Sequence, residues 1–207
     1  PRWRGSSPIP HAIMFMDKET GISIQTIAPE MDTGELLHVH RIPLKGRETS
    51  ASLSELCAQL AGPMVVEVLD EIERGIAKPR PQIGEPTYCR KITKEDGHID
   101  WHRPSREIDA RIRAFDPWPG SFTFLRNLRL SILEVEPFDD FDSMSNAGYM
   151  TNHSPGTIIA AVVQKGIIVR AGDGYIAIKR LQVATRKAVG FQDFSNGARD
   201  IIGAVLR

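Results

Sequence analysis

The sequence predicts an α/β front followed by an all-β back, the back being a small antiparallel barrel of the OB type, and three observations support this. The stretch Lys78-Pro79-Arg80-Pro81-Gln82-Ile83-Gly84-Glu85-Pro86 holds too many prolines and glycines for a helix or a central strand, so it divides the chain. Ahead of it, short alternating strands give way to helical periodicity; behind it, five short strands recur with turn signals between them. Charge divides at the same place: residues 1–77 carry 7 basic and 11 acidic side chains, and residues 78–207 carry 19 and 15. The expected organisation is a partial α/β domain over 1–77, a linker over 78–97 and the barrel over 98–207.

The front opens with loop chemistry through Pro10 and an apolar stretch from Ala12 to Met16. Ile22-Ser23-Ile24-Gln25-Thr26-Ile27 alternates and is β-branched, which suits a strand, and Leu36 to Val39 is a second, shorter one. Ser52 with Glu55 reads as a capping box, and Leu53, Leu56, Cys57, Leu60 and Ala61 follow at helical spacing. Gly62-Pro63 is expected to interrupt, Pro63 opening a second helix that buries Met64, Val65, Val68, Leu69 and Ile72 and stops at Gly75. One or two strands followed by two helices cannot make a closed layer, so this piece reads as the tail of an α/β domain.

In the back, Ile108, Ile112 and Phe115 share a face of a helix over Ser105–Phe115. Strands are expected at Ser121–Leu125, Leu128–Val135, Thr157–Val163, Ile167–Arg170 and Tyr175–Leu181, with turns at Arg126-Asn127, Lys165-Gly166 and Gly172-Asp173-Gly174. Such strands in so short a span suit a small antiparallel barrel, such as an OB-fold. Asp139 to Pro155 reads as a polar surface loop, and Phe115-Asp116-Pro117-Trp118-Pro119-Gly120 as a packed corner between helix and barrel.

Several function classes are excluded. The chain of 207 residues has 26 basic and 26 acidic side chains, so no overall field points at nucleic acid or membrane. No apolar run approaches the roughly 18 residues of a membrane span. Cys57 and Cys89 are the only cysteines and form no CxxC, which argues against a disulfide scaffold or structural zinc and for a reducing compartment. His38 and His40 share a strand side but lack a third ligand, so no metal is expected.

Two local patterns suggest chemistry. Pro1-Arg2-Trp3-Arg4-Gly5-Ser6-Ser7-Pro8 combines anion-binding arginines with a glycine that permits close backbone approach; the plain alternative is a rigid loop. Glu30-Met31-Asp32-Thr33-Gly34-Glu35 is an acidic turn after a strand, where sites of open α/β sheets gather. There Asp32 can orient a histidine, take a proton or hold an amine; alternatively it makes an Asx-turn and nothing more.

Taken together, PRWRGSSPI, DKETGISIQTIAPEMDTGELL, PTYCRKITKEDGHIDW, RIRAFDPWPGSFT, GDGYIAIKRLQ and DFSNG resemble the methionyl-tRNA formyltransferase family, in order and over essentially the whole chain. The resemblance implies the C-terminal half of a Rossmann-like formyltransferase domain followed by an OB-fold-like barrel. It implies an enzyme that moves a formyl group from 10-formyltetrahydrofolate to the amino group of methionine on initiator tRNA, with no metal. The family's catalytic Asp matches Asp32. Pro1, Arg2, Arg4 and Gly5 fall in the substrate-contacting loop, Pro1 matching the last residue of the part that meets the folate. Ser6-Ser7 replaces the commoner Ala-Ala, and His11 stands where a basic residue is usual.

The family's catalytic Asn and His lie ahead of Pro1, and the chain opens inside a motif. It is therefore expected to begin within a longer protein and to be inactive alone. The partners implied are initiator methionyl-tRNA and the folate, for a monomer in the bacterial cytoplasm or an organelle, without a membrane. Two alternatives stay open: a sugar-nucleotide N-formyltransferase relative, and a tRNA-binding remnant without catalysis.

Overall fold

The first long strand of the front is set by alternation. Ile22 and Ile24 turn one way and Gly21, Ser23 and Gln25 the other, and this makes β2 (Glu19–Gln25), paired antiparallel with β3 (Leu36–Pro43) in the register Gly21 to Arg41 and Ser23 to Val39. The computed structural model describes residues 1–138, 153–198 and 200–207, which form two units, Pro1–Ile92 and Thr93–Arg207. Most of the expected polar loop at 139–155 lies outside the described residues.

In the first unit, β1 (Arg4–Gly5) is followed by α1 (Pro8–Met14), a helix where the sequence suggested loop through Pro10. Pro8 and Pro10 stand in its first turn, where a missing N–H leaves no hydrogen bond unmade. The two helices expected around Gly62-Pro63 are a single one, α2 (Ser50–Glu73), with Pro63 inside it. The carbonyl that Pro63 leaves unpaired belongs to exposed Gln59, so water can satisfy it, and the helix continues. Its capping box uses Thr49 and Ser52 instead of Ser52 and Glu55: Ser52 N–H donates to Thr49 Oγ1 at 3.2 Å and Thr49 N–H to Ser52 Oγ at 3.0 Å.

The helix ends as expected at Gly75, whose φ of +68° suits the left-handed residue after a helix. Leu53, Met64 and Val68 are buried, but Val65, Val66, Leu69 and Ile72 stay exposed. The most apolar 18-residue window of α2 has a mean hydropathy of 1.2, enough by length and composition alone to cross a membrane.

Residues 78–92 group with the first unit. Leu36 and Arg80 exchange backbone hydrogen bonds of 2.7 and 2.9 Å, and β4 (Tyr88–Cys89) runs parallel to β1, Arg4 beside Tyr88 and Gly5 beside Cys89. Of the net positive charge behind residue 77, three of four units (Lys78, Arg80, Arg90 and Lys91 against Glu85) belong to this segment.

The second unit begins with a single 3-10 turn and α3 (Ser105–Ala114), whose first N–H, on Ser105, is capped by Asp173 Oδ1 at 2.7 Å. Gly172-Asp173-Gly174, the expected hairpin turn, thus also anchors a helix start. The strands are β5 (Ser121–Leu125), β6 (Leu128–Phe138), β7 (Ile158–Val162), β8 (Gly166–Arg170), β9 (Tyr175–Val183) and β10 (Ala188–Gly190), followed by α4 (Phe191–Gly197). They lie in the order β5-β6-β9-β8-β7, with β10 also on β9. β6 bulges twice, around Ile132 to Val135, which bends the sheet over α3. Ile108, Ile112, Leu130, Ile132, Ile167, Val169, Ile176, Ile178 and Leu181 form its core with Trp101.

Among the described residues the path β5-β6-β9-β8-β7 does not pair its first strand directly with its last. The C-terminal stretch stands between these two edge strands and bonds to both. Phe124 of β5 exchanges bonds of 2.7 and 2.9 Å with Arg207, while Ile158 N–H of β7 donates to Ala204 O at 2.8 Å. The corner after α3 differs too: Trp118 is 51 % exposed, and Phe115 is the ring that packs.

Candidate functional site

The candidate site lies wholly in the first unit, where three segments distant in sequence meet. Gly5 occupies β1 with φ +116°, and a Cβ there would stand 2.7 Å from the Cys89 carbonyl oxygen, so only glycine allows β1 to lie against β4. The Cys89 thiol fills the space behind: it accepts the Ser7 N–H at 3.2 Å and lies 3.3 Å from the Arg4 carbonyl.

The acidic turn is equally constrained. Gly34 passes so close to Thr26 that an added Cβ would fall 1.7 Å from the Thr26 carbonyl oxygen. Asp32 adopts φ +57°, a left-handed conformation that a short polar side chain tolerates. Its carboxylate faces away from its own turn: Oδ2 accepts the Gly5 N–H at 2.8 Å, and Oδ1 lies 3.5 Å from Gln25 Nε2. The local Asx-turn weighed from sequence is therefore not what holds this side chain.

Arg2 and Arg4 behave differently. Asp17 grips the Arg2 guanidinium at two atoms, holding it still more firmly protonated through that hydrogen bond, and accepts Trp3 Nε1–H at 2.7 Å. Arg4 is half-buried: its Nη2 donates to Gln82 Oε1 at 2.7 Å, and its Nε is buried with no hydrogen-bond partner. Pro1 accepts the Thr87 N–H through its carbonyl at 3.2 Å.

All five residues expected at the site, Pro1, Arg2, Arg4, Gly5 and Asp32, line an open cleft of about 460 Å³ with Ser23, Gln25, Arg41 and Gln82. That volume is within the range of small-molecule sites. A half-buried carboxylate held by a backbone N–H in a cleft that also holds guanidinium groups can orient a base, hold an amine or bind a polar substrate edge. His38 and His40 lie on β3 outside this cleft, and among the described residues no three His, Cys, Asp or Glu side chains are grouped to hold a metal.

Sequence reasoning missed Asp17, Gln25, Cys89 and Gln82. Gln82 stood inside the segment read as linker, and a single Gln between prolines carries no signal of its partners.

Comparison with known proteins decides the family. The pattern described as formyl transferase, C-terminal domain, matches residues 91–199, and that described as formyl transferase matches residues 1–69. The chain belongs to the formyl transferase family. Among curated relatives of this family, a protein of Treponema denticola named methionyl-tRNA formyltransferase is 40 % identical over 203 residues, covering 98 % of this chain and 62 % of the relative. One of Marinobacter nauticus with the same name is 36 % identical, with the same two coverages of 98 % and 62 %. The chain thus spans under two thirds of the length of these formyl transferases. Among solved structures, HypX from Aquifex aeolicus in complex with tetrahydrofolic acid has a TM-score of 0.66 at 19 % identity, over 96 % of this chain and 34 % of that one, a likeness of fold.

Proposed function

We propose that this chain is the part of a methionyl-tRNA formyltransferase that carries the catalytic aspartate and the tRNA-holding domain. In this reading a formyl group passes from 10-formyltetrahydrofolate to the α-amino group of methionine on initiator tRNA, in the cytoplasm and by a monomer. The observation that carries it is the 40 % identity over nearly the whole chain to a relative of that name. The folate-bound neighbour of the same fold supports a folate donor.

The cleft gives each residue a task. The attacking amine must be neutral and must lose a proton as the new C–N bond forms. Asp32, held by Gly5 N–H, is the carboxylate that orients and electrostatically supports the base taking that proton. Arg4, Arg2 and Gly5 shape the substrate wall, and Pro1 stands at the folate end. The second unit would hold the tRNA, its six strands forming an OB-like barrel.

The test is a formyl-transfer assay on the protein isolated at its native length, with methionyl-tRNA as acceptor. Asp32→Asn keeps the side-chain shape and the Gly5 contact but removes the charge. It is expected to lower kcat by about 100-fold or more while tRNA binding stays within about twofold. Full activity in Asp32→Asn would overturn the role given to this residue, and transfer to an amino sugar nucleotide in place of tRNA would overturn the acceptor.

A further inference from the structure

We infer that Gln82 is a positioning residue, the latch that holds the Arg4 loop and the Asp32 turn in one geometry; the inference rests on the role proposed for Asp32. Its carboxamide touches both segments from a third. Gln82 Oε1 accepts Arg4 Nη2–H at 2.7 Å. Its Nε2 faces three acceptors, the Gly34 carbonyl at 2.8 Å, the Asp32 carbonyl at 2.9 Å and Gln25 Oε1 at 3.0 Å. Two N–H groups serve three oxygens, so at least one bond is shared.

The chemistry fixes which way the amide points. Arg4 has no acceptor to offer and the two backbone carbonyls have no donor, so a flipped amide would oppose like groups at these three contacts. No other residue type meets the same demand. Glu lacks the N–H groups and sets a second carboxylate beside Asp32, Lys lacks an acceptor for Arg4, and Asn is one methylene short. The backbone delivering the side chain is itself held, by the Leu36–Arg80 pair and by Pro81.

Gln82 does not reach the Asp32 carboxylate; it acts through neighbours. Its bond to the Asp32 carbonyl secures the left-handed turn that aims the side chain. Gln25 lies between it and Oδ1, and Arg4 ties it to the strand whose Gly5 N–H grips Oδ2. Losing the latch would leave the carboxylate present but loosely aimed, and small misplacements are costly when geometry carries the chemistry.

The Gly5 amide reports the aim directly, because its partner is Asp32 Oδ2. In the ¹⁵N-labelled chain, Gln82→Ala, Gln82→Glu and the length-matched Gln82→Met are expected to speed Gly5 amide exchange about tenfold and to move its resonance, with the amides of α2 unchanged. Should the alanine variant unfold, Gln82→Met decides. In the native-length protein the same variants are expected to lower kcat about tenfold or more with KM within about threefold. An unaltered Gly5 amide in folded Gln82→Glu and Gln82→Met overturns the latch. If Asp32→Asn proves fully active, the proposed function of Asp32 fails, and the Gly5 amide still decides Gln82 separately.

Discussion

Thr123 is a single hydroxyl on which the core of the second unit depends, and replacing it with Val tests how that core is held. The residue is fully buried in β5; its Oγ1 accepts Trp101 Nε1–H at 3.0 Å and donates to the Arg207 carbonyl at 2.8 Å. Thr123→Val keeps the volume and removes both bonds. Arg207 O keeps a partner in the Phe124 N–H at 2.7 Å, so its loss is small. Trp101 is 3 % exposed, and its indole N–H is left buried without an acceptor, at a cost of about 1–3 kcal/mol. The lost donor bond adds about 1 kcal/mol, and burying a methyl in place of a hydroxyl returns about 0.8 kcal/mol. The net expectation is destabilisation of about 2 kcal/mol, or a midpoint lowered by about 8 °C for a unit of this size. Urea unfolding followed by circular dichroism measures it. In a double-mutant cycle with Trp101→Phe, a coupling near 1 kcal/mol isolates the indole–hydroxyl bond. A loss below about 0.5 kcal/mol, or no coupling, would refute the account.

Other expectations follow from the same geometry. Pro63→Ala restores an N–H for the Gln59 carbonyl in exposed mid-helix, and α2 should gain about 1–2 kcal/mol, read as a raised unfolding midpoint of the first unit; an unchanged midpoint would show that the interruption costs nothing. Burial raises the Asp109 carboxyl above its ordinary value, and the hydrogen bond from Arg113 only partly opposes this. A carboxyl that binds its proton more tightly when folded lowers stability as pH rises from its unfolded value through its raised folded value. The stability of the wild type relative to Asp109→Asn should therefore fall across that acidic window, and a difference that rises with pH would reverse the assignment.

What was legible in the sequence was local. The alternation of Ile22 and Ile24, the helical spacing before Phe115 and the Gly172-Asp173-Gly174 turn each lie within about ten residues, where propensity and periodicity act. Asp32 stood out for the same reason, since Thr33 and Gly34 mark a tight turn directly after a strand. The departures have a common cause. The carbonyl that Pro63 frees belongs to exposed Gln59, where water can bond it, and the helix continues. The corner Phe115–Gly120 was expected to pack, yet only Phe115 of its two rings occupies the interior. Strand count suggested a barrel, but it gave no sign that residues 203–207 stand between the two edge strands and bond to both.

By itself, then, the sequence determined the kinds of element, their approximate limits and the motif residues, all set by interactions between near neighbours along the chain. Only the tertiary structure decided the partners. That the Asp32 carboxylate is gripped by Gly5, that Gln82 ties Arg4 to the Asp32 turn, and that Cys89 backs the arginine loop are matters of contact between residues 27 to 86 positions apart. Contacts at such separations leave no periodic trace in the chain; they form only where packing brings donor and acceptor within hydrogen-bonding distance.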